Sequence, residues 1–288
     1  MRVALLGIGN MGAPIGRNIL KAGHDLIVWN RSPDKAAPLV AEGATLAATP
    51  AAATVEAEIV CTMLADDRGV EAVTFGEEGL LSADPRKLHV GFSTISLALA
   101  RRLAEAQGDL YISAPVFGRP PAAAAAQLSV VTAGASESIA RAQPIFDAIG
   151  QKIFVVGAEA PAANLVKLCG NFMIMSAIEA MGEAMALAAK NGLDKQALFD
   201  VLTGTLFGAP VYKNYGPALI AGEYRPAGFP APLGLKDMNL VAEAAGGARV
   251  PMPLLGVIRD HLLQTIGREG DDVDWAAIGK AISDNAGL

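Results

Sequence analysis

Two short stretches of the chain carry residue types that could do chemistry. The first is Asn164-Leu-Val-Lys167-Leu-Cys-Gly-Asn171, where a lysine stands in an apolar segment and an asparagine follows four residues later. On a helix that spacing puts both side chains on one face. Burying an ammonium lowers its pKa towards neutrality, so such a lysine could protonate a carbonyl oxygen while the amide one turn on positions it. The competing reading is a lysine that snorkels to water from a helix end. The second stretch is Gly7-Ile-Gly9-Asn10-Met11-Gly12, directly after an apolar run. The first glycine permits a tight turn and the second lets backbone approach a pyrophosphate. The third lets the following helix pack closely, with its N–H groups facing the anion. Together they point to a dinucleotide.

About twenty residues on, an acid would normally meet the ribose of NAD. Here the sequence reads Trp29-Asn30-Arg31-Ser32. Arg31 offers a charged fork to a phosphate, and Asn30 and Ser32 add hydrogen bonds. The alternative is a solvated turn. With the acid absent as well, the stretch predicts NADPH over NADH, Arg31 meeting the adenosine 2′-phosphate. Elsewhere the chemistry is thin. His24, His89 and His261 belong to no recognisable constellation and read as structural. Asp271, Asp272 and Asp274 precede Trp275 and read as helix capping in a solvated turn, so no metal is expected.

The elements that must hold these residues follow from periodicity. Val3–Gly7, Asp25–Trp29, Glu58–Met63, Leu88–Phe92, Leu110–Ala114, Ser129–Ala133 and Lys152–Val156 read as strands buried on both faces of a parallel sheet. Helical patterns lie between them, as at Pro14–Lys21, Lys35–Glu42 and Ser96–Ala106. That rhythm predicts a doubly wound α/β domain over residues 1–160. From Ala162 to Asn191 the chain reads as one long helix, and the remainder of 161–288 as an all-α domain. A Gly/Pro-rich loop is expected at Gly204–Leu233, and the boundary near Gly157–Ala163.

Bulk composition agrees with two globular domains. The 288 residues are 52% hydrophobic and 18% charged, with a formal net charge of −6 and no basic run. Nucleic acid and anionic membranes are therefore not expected as partners. The longest apolar stretch, around residues 172–189, carries Glu179 and Glu183, so no membrane span is read. No leader segment is read at the start, and Cys61 and Cys169 fit reduced thiols, which predicts a cytoplasmic protein.

With these residues in view, the chain resembles the β-hydroxyacid dehydrogenases, the family of 3-hydroxyisobutyrate dehydrogenase and the glyoxylate/succinic semialdehyde reductases. Gly7–His24 is close to the family's opening signature, and Ser93-Thr94-Ile95-Ser96 matches a segment near the nicotinamide. Ser113-Ala-Pro115-Val-Phe117-Gly118-Arg119 occupies the place of D-A-P-V-S-G-G. Lys167 with Asn171 matches the catalytic K-x-x-x-N, and Lys236-Asp237 a late K-D pair. The resemblance implies an N-terminal Rossmann domain, a long interdomain helix and an all-helical C-terminal domain in a homodimer or homotetramer. It implies an NADP(H)-dependent reduction of a small aldehyde or keto acid, with Lys167 as general acid/base and Asn171 orienting the substrate. Asn10, Met11, Met63, Leu64, Thr94 and Lys236 are expected at the cofactor beside the residues above. Ser93, Pro115, Phe117, Gly118, Arg119, Phe207 and Lys236 are expected at the substrate.

One departure stands out. Phe117-Gly118-Arg119 replaces S-G-G, so a serine donor for a substrate carboxylate is gone. Either Arg119 supplies the fork instead, or the pocket takes an uncharged carbonyl or an imine; Arg119 as a solvent-facing loop residue is also open. Phe207 and Tyr212 are either a pocket wall or core aromatics. A non-catalytic NADPH-binding protein would be expected to have lost Lys167, and it is present.

Overall fold

The computed structural model describes residues 1–288. The chain divides into two compact units, Met1–Lys167 and Leu168–Leu288, so the division falls inside a helix. The first unit holds nine strands: β1 (Arg2–Leu6), β2 (Asp25–Trp29), β3 (Thr45–Leu46), β4 (Ile59–Thr62), β5 (Leu88–Gly91), β6 (Tyr111–Ser113), β7 (Val116–Phe117), β8 (Leu128–Ala133) and β9 (Gly150–Gly157). Their order is β3-β2-β1-β4-β5-β6-β8-β7, with β9 also on β8. Strands β3 to β6 pair in parallel, whereas β8 runs antiparallel to β6 and β7. The expectation of a parallel sheet therefore holds for the six strands from β3 to β6 in that order and for the β8–β9 pair, and gives way where β8 meets β6 and β7.

Helices cover both faces of this sheet: α1 (Gly12–Lys21), α2 (Ala37–Ala41), α3 (Pro50–Glu56), α4 (Asp67–Phe75), α5 (Leu97–Gln107), α6 (Pro120–Ala124) and α7 (Ser136–Ile149). Side chains alternate along a strand. On β1, Val3 and Leu5 enter one core with Ile15, Ile19, Val28 and Phe146, and Ala4 and Leu6 enter the opposite core with Ile27, Val60 and Val73. Both alternating sets are buried, which is why these strands show no polar alternation. The expected helix Lys35–Glu42 begins instead as a 3₁₀ turn at Pro33–Ala36 and continues as α2.

A buried polar chain runs under the sheet. Gln107 donates to the Leu103 carbonyl, so its oxygen faces His89 and accepts from Nδ1 at 3.2 Å. The His89 Nε2 then accepts from the Thr62 hydroxyl at 2.9 Å. Burial, opposed by the Gln107 bond, lowers the His89 pKa to about 4, so the ring is neutral. The unfolded chain binds this proton near pH 6.5 and the folded chain does not, so stability falls as pH drops from about 6.5 to about 4. Urea unfolding across that window should show a loss on the order of 3 kcal/mol, absent in His89→Gln; an unchanged slope in that variant would contradict the assignment.

The helices that follow are α8 (Pro161–Lys190), α9 (Lys195–Thr203), α10 (Pro210–Ala221), α11 (Ala231–Ala248), α12 (Pro253–Glu269) and α13 (Ile278–Asn285). Residues 204–233 are not one loop, because α10 occupies their middle. Pro210 stands in its first turn, where a missing N–H costs nothing. Gly216 lets α10 pack on α9, since a Cβ there would lie 2.1 Å from the Phe199 ring. These residues read as breakers and serve as a start and a contact.

The 30-residue α8 is long and apolar enough, by length and composition, to cross a membrane. Its Glu179 is buried and accepts from His261 Nδ1 at 2.7 Å, the arrangement of a helix packed inside a helical unit. Burial pushes the Glu179 carboxyl up, against the pull of His261, with Glu183 adding to the rise. Asp274 is a buried cap, accepting from the N–H groups of Gly228, Phe229 and Ala276.

Candidate active site

The glycine loop sits where the strand order reverses between β1 and β4, the place at which open α/β sheets hold ligands beyond their strand ends. Gly7 has φ +106°, donates to the Trp29 carbonyl at 2.9 Å, and passes so near β4's end that a Cβ would lie 2.3 Å from the Met63 oxygen. A Cβ on Gly12 would lie 2.0 Å from the Gly7 oxygen, so only glycine lets α1 start there. Gly9 faces open space and is exposed. No side chain caps α1 and no acid stands in its first turn, so its leading N–H groups and positive dipole end suit an anion. These residues fit a dinucleotide's pyrophosphate.

Asn30, Arg31 and Ser32 follow β2, with Arg31 and Ser32 exposed. Asn30 does something the sequence does not announce. Its Oδ1 accepts from the Ile8 N–H and its Nδ2 donates to the Ser32 carbonyl, both at 2.9 Å. The side chain braces the glycine loop against the turn that carries Arg31. Ser93 is similarly engaged: it is buried, and its hydroxyl accepts from the Leu64 N–H at 2.8 Å. That bond ties the loop after β4 to the loop after β5, with half-buried Met63, Leu64 and Thr94 alongside.

Ser113, at the end of β6, donates to Asn164 Oδ1 in the first turns of α8. Both are buried, and Asn164 Nδ2 has no partner in the protein. Half-buried Lys167 comes three residues later, and its Nζ stands 4.3 Å from the centroid of the Phe117 ring. Arg119, two residues beyond Phe117, is half-buried at the start of α6.

In the second unit, buried Asn171 donates from Nδ2 to Asp237 Oδ2 at 2.6 Å, and Lys236 Nζ lies 2.7 Å from Asp237 Oδ1. A carboxylate only accepts, so it must face the amide nitrogen, which fixes the rotamer of Asn171 and leaves its oxygen turned away. Asp237 is a functional candidate that residue-type reasoning passes over as half of a K-D pair; its burial at 1% exposure marks it. Asp237→Ala should cost about 2 kcal/mol in urea unfolding, less than a fully buried pair because Lys236 reaches water. Asp237→Asn keeps an acceptor and should cost less; equal losses would mean that the bond to Asn171 is irrelevant.

Phe207 and Tyr212 do meet, edge to face with centroids 5.3 Å apart; Phe207 is exposed and so is not a core aromatic, while Tyr212 is half-buried. No group of three His, Cys, Asp or Glu side chains is placed to hold a metal ion. Cys169 is exposed and not packed away, whereas Cys61 is buried, and burial pushes its thiol pKa up.

Residues 2–157 match the family described as the NAD binding domain of 6-phosphogluconate dehydrogenase. Residues 161–282 match the NAD-binding region of NADP-dependent 3-hydroxyisobutyrate dehydrogenase. The 3-hydroxyisobutyrate dehydrogenase of Pseudomonas aeruginosa is 33% identical over 96% of this chain and 97% of its own. The chain belongs to the β-hydroxyacid dehydrogenase family. An uncharacterized oxidoreductase of Bacillus subtilis, YfjR, is 43% identical over 98% of this chain and all of its own. The 3-hydroxyisobutyrate dehydrogenase of Mycobacterium tuberculosis, solved with L-serine, superposes with a TM-score of 0.87 at 32% identity, covering 98% of both chains. The protein is thus an NAD(P)-dependent oxidoreductase of the β-hydroxyacid dehydrogenase type, with a Rossmann-like domain followed by a helical one.

Proposed function

We propose that this β-hydroxyacid dehydrogenase uses NADPH to reduce a small carboxylated aldehyde or keto acid to the hydroxyacid. What supports the reading is α8: it carries Lys167 and, one turn on, an Asn171 whose amide is held in one orientation by buried Asp237. Gly7, Gly9 and Gly12, with Asn10 and Met11, hold the pyrophosphate on the N-terminus of α1. Arg31 and Ser32 take the 2′-phosphate while Asn30 keeps the loop in register. Met63, Leu64 and Thr94 bound the nicotinamide half. When bound, the reduced nicotinamide supplies the hydride that the carbonyl carbon accepts.

The chain's own groups do the rest. Lys167 gives its proton to the carbonyl oxygen as that oxygen gains negative charge, so the alcohol and a neutral amine are formed together. Asn171 donates its second amide N–H to the same oxygen and holds it in line. Arg119 pairs its fork with the substrate carboxylate in place of the serine that Phe117 displaces, and Lys236 adds positive charge beside substrate and cofactor. The reading includes a homo-oligomer in the cytoplasm; exposed Met173, Leu187, Val201 and Leu206 offer apolar area for a subunit contact.

The test is NADPH oxidation by the purified protein with glyoxylate and succinic, methylmalonic and tartronic semialdehydes, set against uncharged aldehydes and a cyclic imine. Turnover of the carboxylated aldehydes, lost in Arg119→Ala mainly through KM, supports the proposal. Turnover confined to uncharged aldehydes or the imine would remove the hydroxyacid assignment.

A further inference from the structure

Beyond the residues assigned above, we propose that Phe117 is a positioning residue for Lys167: its ring face is a seat for the ammonium. The inference rests on Lys167 being the proton donor of the proposed reaction. Three observations carry it. The Lys167 Nζ stands over the Phe117 ring at 4.3 Å from its centroid, within the range where a cation is attracted to the negative face of the π-system. The ring is itself fixed from the sheet. Phe117 belongs to a two-residue strand in register with β8, Val116 opposite Val130 and Phe117 opposite Ser129. It also packs with Val131, Ala133, Ala162 and Ala163, the last two in the first turn of α8. The backbone beyond it is held by Gly118 at φ +142°, where a Cβ would lie 2.5 Å from Leu128 Cδ2.

The geometry has a chemical consequence. A lysine side chain has four rotatable bonds, and its ammonium donates in three directions with no preferred plane. A phenyl face attracts the cation without itself taking up one of its N–H groups, so it restrains Nζ at no cost to the ammonium's capacity to donate. Displacing a reacting group by about an ångström is enough to cost a large factor in rate, so loss of the seat should appear in kcat and not in cofactor binding.

The experiment compares Phe117→Leu with Phe117→Tyr and Phe117→Trp, each checked by circular dichroism and urea unfolding. Phe117→Leu, of similar bulk but without a π face, should lower kcat about tenfold with the NADPH Kd unchanged. The two aromatic variants should stay within about threefold of wild type. A second readout needs no turnover. In protein labelled with ¹³C-lysine, the ε-methylene protons of Lys167, assigned by their loss in Lys167→Arg, should be displaced upfield by the ring current in the wild type. In Phe117→Leu they should return to ordinary positions. An ordinary position in the wild type, or wild-type kcat in Phe117→Leu, would overturn the proposal. If Lys167→Ala keeps turnover while the upfield displacement is present, the catalytic reading fails and the seat remains, so the two failures are told apart.

Discussion

Lys167→Ala is expected to lower kcat by a factor of about 10² to 10⁴, the usual contribution of a positioned general acid, while the NADPH Kd stays within about twofold. Lys167 is half-buried on α8 over an aromatic ring, whereas the glycine loop and β2 turn proposed for the cofactor belong to other elements and are braced by Asn30. Removing three methylenes and the ammonium there takes the proposed proton source and leaves the residues proposed for the dinucleotide in place. Fluorescence titration with NADPH and initial rates on the best substrate of the panel separate the two effects. A near wild-type kcat would mean that water or another side chain supplies the proton; a parallel loss of NADPH binding would make Lys167 a cofactor ligand.

Arg31→Asp should raise KM for NADPH roughly 100-fold and leave that for NADH nearly unchanged or improved. A charge-assisted hydrogen bond is worth roughly 1.5–3 kcal/mol, or about ten- to a hundredfold in affinity, and the new carboxylate adds repulsion of a phosphate while offering acceptors to ribose hydroxyls. Arg31 is exposed, so the effect should be larger at low ionic strength than at high. Asn30 is the useful contrast: since its amide clamps Ile8 to Ser32, Asn30→Ala should weaken both cofactors alike. Equal losses of NADPH and NADH in Arg31→Asp would withdraw the 2′-phosphate assignment.

Much of this was legible in the residues because the constraints involved are local. Gly7 and Gly12 after the apolar run are required because a Cβ at either would lie 2.0–2.3 Å from a backbone oxygen, while Gly9 faces open space. The long helix was bounded to within a residue at either end because its period and the glycine after it are sequence features. What escaped depends on partners far along the chain. Two-residue β7 has no period to detect and exists only through β8. The residues of α10 look like turn formers until Phe199 packs against Gly216. Asp237 looks like an ordinary charged neighbour of Lys236 until Asn171, 66 residues earlier, is found against it. Phe117 reads as the loss of a donor and becomes, in three dimensions, the surface under Lys167.

The central claim is hydride transfer to the carbonyl carbon of a carboxylated aldehyde, and isotope tracing tests it most directly. Wild-type protein is incubated with succinic semialdehyde or glyoxylate and NADPH carrying deuterium at the transferred position of nicotinamide C4, and the product is read by mass spectrometry and ¹H NMR. The account predicts a hydroxyacid with one deuterium on the carbinol carbon, formed in step with NADP⁺ and lost in Lys167→Ala. Oxidation of NADPH with no deuterium in the product, or deuterium appearing only when an imine is supplied, would contradict it.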